Sequence, residues 1–252
     1  MRDQPEQQAP PVQRLRVRYA KRGRLRFTSH RDFSRAFERA LVRARIPMAY
    51  SSGFNPHPRI SYAGASPTGA ASEAEYLEIG LARTVDPVRV AADLDDALPD
   101  GLDVLEVVGA LPGGLADRLE ASRWRIDVPL PIDTVTGAVE TFLARETVGV
   151  ERMTKKGLRS FDSRAAVLAL EVTSLDTVDD TVDHPVYVGG SRLTLVVRHT
   201  VPTVRPDDVL TGLRRVGGLD DASAGPVTCL VTRLEQGPLD EATGTIGDPL
   251  SG

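Results

Sequence analysis

An α+β class is predicted for this 252-residue chain, arranged as two ferredoxin-like (split βαβ) domains, the second less regular. Three observations carry that expectation. Strand-period and helix-period segments follow one another as β-α-β-β-α-β through the first hundred or so residues. A looser version of the same series runs from Trp124 to Leu234. Between them lies a Leu-Pro-Gly-Gly loop within 110–122. The expected organisation is a disordered tail over 1–13, an N-terminal domain over 14–110 with a basic face, a C-terminal α+β domain over 123–234 and a disordered tail over 235–252.

Taken in order, residues 14–20 alternate. Leu15, Val17 and Tyr19 point one way, and Arg14, Arg16 and Arg18 the other, as in a half-buried strand with a basic outer face. Lys21, Arg22 and Gly23 mark a turn or bulge. The strand is expected to resume with Leu25 and Phe27 inward and Arg24 and Arg26 outward. A helix follows. Ser29 stands three residues before Asp32, a capping-box spacing, and Phe33, Ala36, Phe37, Ala40, Leu41 and Ala44 form one apolar stripe. Arg35, Arg39 and Arg43 fall on the flank away from it, and Pro47 closes the helix.

Residues 48–52 read as a short strand. The segment GFNPHPRISYAG reads as rigid, extended and exposed, because two prolines bracket His57. Further strands are expected at 75–81 and 102–108, with a helix over 87–98 that has Pro87 in its first turn. In the second half, strands are expected at 124–130, 148–153, 166–172, 192–199 and 227–234, and helices at 134–145 and 207–216. Residues 154–164 read as a basic loop. An acidic linker over 174–190 is expected to be mobile.

Charge is distributed unevenly. Residues 14–59 hold thirteen Arg and Lys against two acids, whereas 60–252 hold 17 against 31, within a net charge of −4. Such a split points to a localised anion-binding face, or to a solvated basic surface in an arginine-rich proteome. No apolar run is long enough to span a membrane and no signal-peptide core is present, so a cytoplasmic protein without membrane association is expected. The single cysteine, Cys229, allows neither an internal disulfide nor a cysteine-based metal cluster, and no metal site or cofactor is expected.

Several residue types carry candidate chemistry. Lys21, Arg24, Arg26, Arg35, Arg39, Arg43 and Arg59 can bind phosphates, with Lys155, Lys156 and Arg164 as a second basic patch. Phe54, beside Asn55, can stack on an unpaired base or plug the core beneath its loop. His30 and His57 are candidate acid–base groups, or else a capping residue and a turn residue. Glu73 and Glu75 can orient the histidines or pair with the arginines, or else read as surface acids at a strand entrance, the favoured expectation.

The series K-x-G-x-L-R-F-x-S-H-x-D-F-x-R-x-F-E-R-A-L-x-R-A, followed by P-x-A-Y-S-x-G-F-N-P-H-P and S-E-A-E-Y-L-E, resembles the radical SAM-linked protein family, a bacterial domain of unknown function. The resemblance is strong over 14–81. It continues weakly through Lys155, Lys156, Asp162 and Arg164. It implies a radical SAM enzyme as a partner, fused or encoded alongside. With only Cys229, this chain lacks the cysteine triad of such an enzyme. The N-terminal plan is also similar to ferredoxin-like RNA-binding modules, including Cas6-type CRISPR RNA endoribonucleases. The resulting expectation is an accessory RNA-binding protein, with RNA as a partner and a radical SAM enzyme as the partner that the family resemblance implies. The alternatives are a substrate-holding partner of that enzyme that does not bind RNA, and a metal-independent ribonuclease using His30 and His57.

Overall fold

A computed structural model describes residues 7–154, 157–175, 189–219 and 228–251. The fold is α+β, with four α-helices among those residues. Two compact units divide the chain: 1–119 with 248–252, and 120–247.

In the first unit, β1 (Gln13–Lys21) leads through a 3-10 turn (Gly23–Phe27) into α1 (His30–Arg43). Then follow β2 (Ile60–Ala63), β3 (Ala71–Leu81), α2 (Pro87–Asp95) and β4 (Val104–Gly109). The strands lie in the order β4-β1-β3-β2, every neighbour antiparallel. Alternation places Leu15, Val17 and Tyr19 of β1 and Leu77, Ile79 and Leu81 of β3 on one face. There they pack with Phe33, Phe37 and Leu41 of α1 and Val90 and Leu94 of α2. Tyr19 and Phe33 stack with their rings nearly parallel, 4.5 Å between centroids.

The other face is partly covered, which corrects the expected basic outer face of β1 at its centre: Arg14 stays exposed and Arg18 is half-buried, but Arg16 is enclosed. Ala74 and Tyr76 join Leu115, Leu119 and Leu250 in a second cluster. Arg16, on that face, has no exposed surface. Its Nη2 donates to the carbonyls of Leu111 (3.0 Å) and Gly113 (2.7 Å), and its Nε reaches Glu78. The chain after β4 folds over the arginine and supplies two carbonyl acceptors to its Nη2, while Nη1 has none among the described residues.

Three local expectations change. Residues 24–27 form the 3-10 turn, not a resumed strand, and Phe27 is exposed rather than inward. Residues 48–52 contribute only isolated bridges, Met48 to Leu81 and Tyr50 to Pro58, so the second strand is β2. Glu75 is buried and accepts from the Ser66 amide, while Glu73 pairs with Arg22; neither is a free surface acid.

The second unit comprises β5 (Ala121–Val128), α3 (Ile132–Leu143), β6 (Gly149–Thr154), β7 (Gly157–Asp162), β8 (Val167–Leu175), β9 (Gly190–Arg198), α4 (Pro206–Gly217) and β10 (Leu230–Gly237). Its main strands run β10-β5-β9-β8, again antiparallel, with a helix after the first and after the third. This repeats the connectivity of the first unit, with the β6–β7 hairpin inserted between α3 and β8. The expected loop over 154–164 is therefore largely a strand. Gly217 lets α4 approach α3 closely, since a Cβ there would lie 2.5 Å from the Ala138 backbone.

Of the expected C-terminal tail, residues 235–237 end β10, Leu239 bridges to Ile246, and Leu250 is buried. Residues 1–6, most of the acidic linker (176–188) and the pair Lys155 and Lys156 lie outside the described residues. No helix among the described residues is long and apolar enough to cross a membrane.

Candidate nucleic-acid interface

The interface begins with how α1 is started and stopped. Ser29 caps it: its Oγ accepts from the Asp32 amide at 3.2 Å and donates to the Asp32 carboxylate at 2.7 Å. At the other end, Ile46 N donates to Leu41 O (3.0 Å) and Arg45 N to Val42 O (3.1 Å), with Arg45 in the left-handed region at φ 54°. That is a Schellman closure with an arginine where glycine is usual. Both ends are thus fixed, and burial of Phe33, Phe37, Ala40 and Leu41 fixes the rotation of the helix.

That rotation turns Arg31, Arg35, Arg39 and Arg43 to solvent. They recur every four residues, so their anchor points step by about 6 Å along the axis. None forms an ion pair or hydrogen bond among the described residues. A second row, His30, Ser34 and Glu38, runs beside them toward β2. The Ser34 hydroxyl lies 2.9 Å from the His30 carbonyl and 3.3 Å from His30 Nδ1. The His30 ring stands edge-on to Tyr62, 4.8 Å between centroids at 76°. Burial pushes the Tyr62 phenol up, a contact with Ser34 partly opposing it, and the Tyr62 hydroxyl has no hydrogen bond of normal geometry among the described residues.

The remaining basic candidates differ in their exposure and contacts. Arg24 is exposed in the 3-10 turn. Arg26 lies over the exposed Phe27 ring at 4.6 Å. Lys21 is buried, its Nζ 3.4 Å from the Pro67 carbonyl, and is removed from any surface site. Arg22 is held by Glu73 and by Asp103 (2.6 Å), the Glu73 hydrogen bond first among the causes that raise its pKa. Arg59 is half-buried and donates to the Tyr50 carbonyl at 3.1 Å, bracing the loop that follows.

That loop carries Phe54 and Asn55 at its tip. Ser51 N donates to His57 O (2.8 Å) and His57 N to Ser51 Oγ (3.0 Å), while Gly53 turns the chain at φ 128°. Phe54 is 68% exposed, so it stands free of the core. His57 is exposed and, among the described residues, tied only through its backbone. Among the described residues it shares no contact with His30.

In the second unit, Arg164 is half-buried and donates to the Val167 carbonyl at 3.1 Å, closing the turn between β7 and β8. Among the described residues of that hairpin, Arg159 is an exposed cation. No cluster of three or more His, Cys, Asp or Glu that can hold a metal occurs among the described residues. Sequence reasoning passed over Ser34, Glu38 and Tyr62. The four-residue spacing of His30, Ser34 and Glu38 was a visible signal, but Tyr62 reaches them only through the fold.

No curated protein matches the chain. One family model does, over residues 14–206, and that span extends well beyond the motif-rich first eighty residues. The chain therefore belongs to the family described as an uncharacterized protein conserved in bacteria, DUF2344.

Proposed function

We propose that this protein is an accessory RNA-binding protein of the cytoplasm, and that α1 and the loop after it form the binding face. The carrying observation is the row Arg31, Arg35, Arg39 and Arg43: four exposed guanidinium groups on one helix, without a carboxylate partner among the described residues. Unpaired arginines that repeat along a rigid element suit a chain of phosphates, since each offers a planar pair of donors. Arg24 and the Arg26–Phe27 pair extend the basic surface, and Phe54 supplies an aromatic face on which an unpaired base can stack.

The strand order β4-β1-β3-β2, with helices after the first and third strands, supports reading each unit as ferredoxin-like. The resemblance to the radical SAM-linked family supports a further part of the proposal, that the bound RNA is presented to a radical SAM enzyme. Cleavage by His30 and His57 together is not part of it, because the two imidazoles have separate surroundings. The test is crosslinking and sequencing of RNA bound in the source cell, beside an Arg35→Ala/Arg39→Ala/Arg43→Ala variant. Enrichment of one RNA class that disappears in the variant is expected. Equal recovery from both proteins would redirect the basic face to an acidic protein partner.

A further inference from the structure

Beside the arginine row, His30, Ser34 and Glu38 present a different kind of surface. Ser34 has one hydroxyl proton. Its shorter contact is to the His30 carbonyl, at 2.9 Å, and a carbonyl can only accept. The proton therefore goes there, and the 3.3 Å contact with His30 Nδ1 must be donated by the ring. Neutral His30 then carries its proton on Nδ1 and its lone pair on Nε2. The edge-on Tyr62 ring fixes the plane of the imidazole, and His30 as a whole is exposed. Glu38, two turns along the same flank, is exposed and acceptor-only when ionised.

The helix thus offers donors along one row and acceptors along the next. Phosphate oxygens, acceptors themselves, match the first row and are repelled from the second. A strand lying on the arginines needs hydrogen-bond donors beside its phosphates to match the second row. A ribose 2′-hydroxyl is such a donor and deoxyribose has none. Resting on the RNA-binding reading above, we infer that His30, with its tautomer set by Ser34, accepts a hydrogen bond from a ribose 2′-hydroxyl at Nε2 and so selects RNA over DNA.

The full chain tests this with a fluorescein-labelled single-stranded RNA of mixed sequence and the DNA of the same sequence, by anisotropy at one fixed salt concentration. The wild type should prefer RNA by roughly 2- to 12-fold, the range one net hydrogen bond provides. His30→Ala should erase that preference by weakening RNA binding alone, leaving DNA affinity in place. His30→Gln, whose amide oxygen can accept, should restore part of it and guards against a merely misfolded alanine variant. Equal wild-type affinity for the two strands, or a preference that survives His30→Ala, overturns the inference. If both strands bind equally and His30→Ala weakens both, the donor is a base amino group and the ribose assignment is wrong. Binding of neither strand, or binding indifferent to Arg35→Ala/Arg39→Ala, removes the RNA-binding reading itself and is separable from those results.

Discussion

Tyr62 stands edge-on beneath His30 with its ring centroid 4.8 Å away, yet its hydroxyl has no hydrogen-bond partner of normal geometry among the described residues. A buried hydroxyl without a partner costs stability, and its removal at constant shape is close to neutral or favourable. Tyr62→Phe should therefore leave the melting temperature unchanged or raise it, while keeping the ring that orients His30. Tyr62→Ala, which also removes packing against Phe33, should lower stability by about 3 kcal/mol. Denaturant unfolding of the two variants separates the ring from its hydroxyl.

Arg45 ends α1 in a left-handed conformation at φ 54°. A side chain there costs roughly 1 kcal/mol relative to glycine, and Arg45 makes no ion pair among the described residues. Arg45→Gly should stabilise the protein by about 1 kcal/mol without changing RNA affinity, as read by thermal melting and anisotropy on the same preparation.

Asp208 starts α4; its Oδ2 accepts from the Arg205 amide at 2.7 Å and also from Arg152. Burial raises its carboxyl above the ordinary range, partly offset by that amide and by Arg152. Arg152→Ala leaves the buried carboxylate without its ion pair, held only by the Arg205 amide and charge, and should cost about 3 kcal/mol near neutral pH. For a carboxyl whose folded pKa lies above its unfolded value, the penalty is complete above the folded value. It fades as pH falls through it toward the unfolded carboxylate range. Urea unfolding of the variant against wild type should therefore show a gap that narrows on acidification. A constant gap would assign the loss to packing.

The Cys229 thiol is pushed up to about 11 by burial, Arg214 only partly opposing it. The reactive thiolate is correspondingly scarce at neutral pH. Alkylation of the folded protein should be much slower than of the denatured chain, measured by mass spectrometry over a time course.

The sequence made both helix–strand series legible because period and burial agree over long elements. Phe33, Phe37 and Leu41 recur at helical spacing and Leu15, Val17 and Tyr19 at strand spacing. It misled where a face was covered by remote chain. Arg16 reads as outward by alternation, but the segment around Leu111 and Gly113 folds over it, ninety-odd positions away. Lys21 followed the same pattern of error. Arg24 to Phe27 kept strand alternation while the chain closed into a 3-10 turn, a difference that two inward and two outward residues cannot encode. Of the candidate interface, Arg35, Arg39, Arg43 and Phe54 were readable because helix phase and a Pro-bounded loop expose them. The partnership of His30 with Tyr62 was not, because it depends on where β2 docks.

Phe54 should contribute to RNA affinity and not to folding, since it stands outside the core. Phe54→Ala should weaken binding of unpaired RNA by ~1–3 kcal/mol with an unchanged unfolding midpoint. A loss of stability would make it a structural plug after all.

The most direct test of the central claim is the salt dependence of binding to single-stranded RNA by wild type and by Arg35→Ala/Arg39→Ala/Arg43→Ala. Each phosphate contact on a single strand contributes about 0.7 to the slope of log K against log salt. The triple variant should bind more weakly and lose about 2 from the slope. An unchanged slope, or no affinity for RNA in the wild type at low salt, would contradict it.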